Sequence, residues 1–141
     1  MRRIERMTKD FQSESGIFSW DQIERFEFEH EGNQTQIISG NNMHLLRAVF
    51  EPGAVYPMHS HPHEQFSVLL SGRILLTVGE EVREIGAGDG WYAGCHVPHG
   101  GKILGDEPAV FIDVYSPAMQ WILDYLKTGK RLPPSAGKTA R

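Results

Sequence analysis

The sequence predicts an all-β chain, a sandwich or jelly roll, with one α-helix near its C-terminus. Three observations lead there. Apolar and polar residues alternate through many short runs, Gly, Pro and Asn clusters divide those runs at regular spacing, and no helical period appears before Ser116-Pro117. The 141 residues are 40% hydrophobic and 23% charged. That is the length of one domain and enough to bury a core.

Residues 1–16 are polar and charged and read as a flexible arm. The single domain is expected over 17–129. Trp20, Phe26 and Phe28 alternate with Arg25, Glu27 and Glu29, the pattern of a half-buried strand. Gly32-Asn33 is a turn, Thr35 to Ser39 the next strand, and Gly40-Asn41-Asn42 another turn. Met43 to Glu51 is a strand ending at Pro52-Gly53. Phe66 to Val78 is broken at Ser71-Gly72; Val82 to Ile85 follows, and Gly86 and Gly88-Asp89-Gly90 punctuate before Trp91. Ala109 to Tyr115 is the last strand. Ser116 and Pro117 then read as N-cap and first-turn proline of a helix over 117–128. Its apolar residues Trp121, Ile122, Tyr125 and Leu126 are expected to pack on the outside of the barrel, and Gly129 ends it. Residues 130–141, with Pro133-Pro134, read as a disordered tail.

A net charge of −4 gives no general attraction to nucleic acid or anionic lipid. The basic residues crowding both ends read as solvated tails. Cys95 is the single cysteine, which excludes an intrachain disulfide and suits a reducing compartment; it reads as a small buried residue. No apolar run is long enough to span a bilayer or resembles a signal peptide, so the expected location is cytoplasmic.

The chemistry concentrates between Gly53 and Gly72. His59 and His61 stand two apart in strand-like sequence, on one face if the strand is regular, with Gln65 four residues on. His99 follows in YAGCHVPHGG. Imidazole is a common ligand for divalent first-row metals, and this set reads as a metal cup inside a β-barrel. Gln65 is the favoured fourth ligand. Because Pro62 disturbs strand counting, His63 and Glu64 stay open as alternatives.

Gly53, five residues, His59-x-His61, three residues, Gln65, six residues, Gly72 resembles the first motif of the cupins. Gly88-Asp89 through Pro98-His99-Gly100 resembles a degraded second motif. The resemblance implies a double-stranded β-helix barrel and a homodimer formed by exchanged terminal strands, with the Phe26/Phe28 segment as a suitable donor. Most cupins carry glutamate where Gln65 stands. Three imidazoles and a carboxamide leave the metal's charge uncompensated, which strengthens it as a Lewis acid and gives less support to an oxidised state. The ligand set suits nickel, zinc, iron or manganese.

On the last strand Phe111, Asp113 and Tyr115 share a face. Asp113 in so apolar a strand needs a partner or a purpose: backbone donors of a loop, or service as general acid or base with Tyr115 as orienting group. HSHPHEQ with D-x-Y-S-P is similar to the small cupins of pectin degradation, which ketonise unsaturated uronates on a three-histidine, one-glutamine metal. That resemblance implies catalytic roles for Asp113 and Tyr115, but Met119 stands where the family has its arginine. A uronate carboxylate wants a cation, and Arg47, Arg73 or Lys102 are the candidates to supply it. Trp91, Tyr92 and Met119 are candidates for the pocket mouth.

The leading expectation is a metalloenzyme that moves a proton on a small oxygenated, sugar-acid-like substrate by isomerisation, ketonisation or elimination. An iron-dependent dioxygenase, a polyketide-cyclase-like cupin and a non-catalytic sensing module are the alternatives.

Overall fold

Inward side chains of the strands meet between two sheets, with strict burial alternation on the strands over 44–50 and 109–116. The computed structural model describes residues 9–10 and 15–128. Most of the arm expected over 1–16 and the tail expected over 130–141 lie outside the described residues. The strands are β1 (Lys9–Asp10), β2 (Asn33–Ser39), β3 (His44–Phe50), β4 (Val55–His59), β5 (Glu64–Ser71), β6 (Arg73–Val78), β7 (Glu81–Gly86), β8 (Gly90–Ala93), β9 (His99–Leu104) and β10 (Ala109–Ser116). One sheet runs β1-β2-β3-β10-β5-β8 and the other β4-β9-β6-β7. All pairs are antiparallel except β1 with β2. Together they form the jelly roll that the turn spacing predicts.

Strict alternation on β10 buries Ala109, Phe111, Asp113 and Tyr115 and leaves the residues between half-buried. β3 does the same with His44, Leu46, Ala48 and Phe50. Leu69, Ile74, Ile103 and Phe111 are each at most 2% exposed in the main core. Full burial of such a side chain stabilises by roughly 1.5–3 kcal/mol.

Three elements differ from expectation. The Trp20–Phe28 segment is no strand: Trp20–Gln22 is a 3-10 turn, and Phe26 makes a single bridge to Thr35. Its alternation arises because Phe26 and Phe28 both turn toward one apolar cluster. The helix, α1, spans Gln120–Thr128 and begins later than 117. Ser116 is still strand, and its hydroxyl donates to the Asn42 carbonyl (3.0 Å) instead of capping a helix. Nor does α1 sit on the outer surface. Ile122 and the preceding Met119 pack on Phe28, Ile37, Leu46 and Tyr115, the inward side chains at one end of the large sheet.

Candidate metal centre

β4 and β9 place the first two candidate ligands, because His59 pairs directly with His99 across the ladder. His61 lies beyond the end of β4, so a loop and not strand parity brings it to the cluster; its carbonyl accepts from His96 N–H at 2.7 Å. The ligand nitrogens of His59, His61 and His99 all lie within 4.8 Å of one another.

Hydrogen bonds settle which nitrogen faces inward. The Nδ1 of His59, His61 and His99 stand 2.8, 2.8 and 2.9 Å from the carbonyl oxygens of Pro57, His63 and Val97. A carbonyl only accepts, so each Nδ1 carries the proton and each Nε2 presents a lone pair. Gln65, 1% exposed on β5, aims Oε1 at His61 Nε2 (3.2 Å) and His99 Nε2 (3.1 Å). Its Nε2 donates to Ser67 Oγ at 2.8 Å, which fixes the amide in that orientation. The result is three imidazole lone pairs and a carboxamide oxygen turned toward one another, all acceptors, with the Tyr56 hydroxyl a donor beside them. A divalent cation at their centre turns mutual repulsion into coordination, so these residues fit a metal ion. Burial, with the other two imidazoles adding to it, holds the His99 imidazole down at about 4 and therefore neutral, as ligation requires.

Of the alternatives for the fourth position, His63 Nδ1 has no hydrogen-bond partner among the described residues and its ring packs on His61 at 5.9 Å. Glu64 accepts from Tyr92 Oη on the outer face. The structure turns Gln65 inward.

Beside the cluster lies an inner cavity of about 20 Å³, walled mainly by Phe28, Leu46, Ala48, Phe50, Trp91 and Phe111. Asp113, Tyr115 and Tyr56 line it too. Burial pushes the Asp113 carboxyl up to about 7, an effect that the Ser67 hydroxyl beside it partly offsets. Its Oδ1 is buried without a hydrogen-bond partner among the described residues. Burial first, and neighbouring phenol and carboxylate groups second, raise Tyr115 well above the usual phenol value.

The expected substrate cations are not brought here. Arg47 lies between Leu46 and Ala48 on β3, so it points to the opposite face and lines an outer groove with Arg25 and Val49. Arg73 pairs with Glu84 at the surface (2.6 Å). Lys102 is exposed on β9. Met119 is 6% exposed in the cluster beneath α1 and does not line the cavity, whereas Trp91 does. Tyr92 is on the outer face against Phe66, and Cys95 is exposed, not buried.

Two residues escaped the sequence reading. Tyr56 is buried with its Oη 3.4 Å from His59 Nε2, and Ser67 both accepts from Gln65 and pairs with Asp113. Parity with Gln65 along β5 was the available signal for Ser67.

A family model described as Cupin domain (Cupin_2) matches residues 46–115. The chain is 26% identical over 110 residues to oxalate decarboxylase OxdC of Bacillus subtilis (strain 168); the match covers 70% of this chain but only 29% of that protein's length. Among solved structures, an RmlC-like cupin from Shewanella frigidimarina NCIMB 400 superposes with a TM-score of 0.67 at 27% identity, covering 75% of this chain and 95% of that one. KdgF from Halomonas sp. gives a TM-score of 0.67 at 24% identity over 74% of this chain and 96% of that one, a likeness of fold.

Proposed function

Because this chain belongs to the cupin superfamily, we propose that it is a metal-dependent acid–base enzyme of the isomerase or lyase type, acting on a small oxygenated molecule. One observation carries the reading. Asp113 is a buried carboxyl held up to about 7, with an unpartnered oxygen on the wall of the cavity that reaches the histidine cluster. A group poised near neutrality can both take and return a proton.

His59, His61, His99 and Gln65 would hold the ion. When bound, nickel, zinc, iron or manganese supplies Lewis acidity toward a carbonyl or hydroxyl oxygen. Asp113 moves the proton. Tyr115 and Tyr56, kept protonated by burial, donate hydrogen bonds and orient the substrate. The aromatic walls keep bulk water from the reacting centre.

The sugar-acid refinement lacks its cation, since neither Arg nor Lys lines the cavity among the described residues. Oxalate, named for the Bacillus relative, is a dianion and meets the same want. The carbon-rich wall supports a polyketide-cyclase-like substrate as second reading. A cytoplasmic homodimer belongs to the same proposal.

Protein reconstituted with each of the four metals and offered enols, α-hydroxy ketones and unsaturated uronates should show turnover that requires metal, read by change in conjugated absorbance. Asp113→Asn should abolish turnover and leave metal content unchanged. Turnover surviving in that variant removes the proton-transfer role, and oxygen consumption in place of isomerisation would favour dioxygenase chemistry.

A further inference from the structure

One row of inward side chains crosses the large sheet beside the histidine cluster. Trp91 on β8 pairs with Ser67 on β5, and Ser67 pairs with Asp113 on β10. The row stands two residues beyond Gln65, about 7 Å further along β5. A Cβ at Gly90 would collide with the Ser67 carbonyl oxygen, so glycine there lets β8 close on β5 and seat Trp91 inward. The Trp91 ring meets Phe111 edge-on at 5.4 Å and, with Asp113, walls the inner cavity. Ser67, in the middle of the row, is engaged, because its oxygen accepts from Gln65 Nε2. The two ends are not. Trp91 Nε1 and Asp113 Oδ1 are both buried, and neither has a hydrogen-bond partner among the described residues.

These two groups cannot satisfy one another, since their strands lie on opposite sides of β5, roughly 10 Å apart. An indole N–H is a donor only, and leaving it buried without an acceptor is costly. Trp91 also borders an outer groove with exposed Glu81 and Arg83 on its rim. A donor opening onto that groove would be wetted, whereas Trp91 Nε1 is shielded from solvent and so belongs to the enclosed side. We propose that Trp91 is a substrate-binding residue whose Nε1–H holds a second oxygen of the substrate, remote from the oxygen that meets the metal. The inference rests on the metal-centre reading above and names its substrate class: a compound with one oxygen for the ion and a carbonyl or hydroxyl oxygen several bonds away. The segment between the two oxygens then lies in the cavity that Asp113 walls.

4-Oxopentanoate and 4-methylpentanoate have the same charge and nearly the same shape; a carbonyl oxygen in one replaces a methyl group in the other. Each is added to Zn²⁺-loaded, ¹⁵N-labelled protein, and the indole N–H resonances of Trp20, Trp91 and Trp121 are followed by NMR. The resonance lost in Trp91→Phe, or kept in both Trp20→Phe and Trp121→Phe, belongs to Trp91. It should move downfield with 4-oxopentanoate and hold its place with 4-methylpentanoate. Trp91→Phe should lower the preference for the oxo compound over the methyl compound roughly two- to tenfold, the loss of one neutral hydrogen bond. A Trp91 resonance that answers both probes alike, or neither, overturns the assignment and leaves the metal centre standing. Zinc content, measured beforehand, keeps the two readings apart: a chain that takes up no Zn²⁺ overturns both.

Discussion

Asp113 couples the site's chemistry to the stability of the fold. Its ordinary carboxyl value is 3.8, and burial holds it at about 7 in the folded chain. Between those values the unfolded chain has released its proton and the folded chain has not. Stability therefore falls as pH rises from about 4 to about 7, and stays low above. A gap of about three units corresponds to at most roughly 4 kcal/mol. His99 acts in the opposite sense: its folded value is depressed to about 4, so its contribution is lost as pH falls from 6.5 toward 4. In chelator-treated protein, Asp113→Asn should gain stability over the wild type progressively from about pH 4 to about pH 7 and hold that gain above, measured as urea midpoints. Midpoints that stay parallel across that range would show that the carboxyl ionises as freely in the fold as in the unfolded chain.

Strand β9 shows why an element can be essential and yet hard to read. It lies between β4 and β6, and Gly100 follows His99 directly. A Cβ at Gly100 would stand 2.6 Å from the Tyr56 carbonyl oxygen and 2.8 Å from Met58 N, both backbone atoms of β4. Gly100→Ala must push β9 from β4 and part His59 from His99. Overpacking of this kind costs about 1–3 kcal/mol, and displaced ligands lose about tenfold or more in metal affinity. Gly86, where a Cβ would meet nothing nearer than 4.0 Å, is the control. Zn²⁺ competition against a chromophoric chelator checks this; a Gly100→Ala protein with wild-type affinity would refute it. The glycines that permit this close packing also erase the alternation by which strands are recognised, so His99-Gly100-Gly101 reads as a turn. β5 and β10 were legible because each is a run rich in aromatic, β-branched and aliphatic residues bounded by turn residues, on both faces of the strand. The Trp20–Phe28 segment misled for the converse reason, showing alternation with hydrogen bonds supplied by an asparagine side chain and not by a ladder. The clustering of His59, His61 and His99 was signalled by spacing read together with the flanking glycines and the resemblance they carry. Arg47 was not, because only the observed topology reveals which parity of β3 faces the cavity.

At the scale of the whole molecule, the outer face of the large sheet carries an exposed apolar patch among the described residues. Phe66, Val68 and Leu70 on β5 and Tyr92 on β8 are exposed, Phe66 by 62%. Half-buried Val110, Ile112 and Val114 continue the patch on β10, with Val68 opposite Ile112 and Phe66 opposite Val114. An exposed apolar area of this kind marks an interaction surface. We propose a second copy as its occupant: the adjoining groove carries Arg25 and Arg47 together with Glu107, and a two-fold axis would set such opposite charges against one another. Strand exchange through the Phe26/Phe28 segment is less well served: Phe26 bridges its own Thr35, and Phe28 is 8% exposed in its own core. A stable dimer of this size buries on the order of 800 Å² per partner. Light scattering after size exclusion should therefore give twice the 15.9 kDa chain mass, and Phe66→Asp with Leu70→Asp should give the single mass. The candidate ligands all come from one chain, so the dissociated variant should bind metal as the wild type does. A wild type already monomeric would leave the apolar face unexplained, and loss of metal on dissociation would mean that the barrel is not complete in one copy.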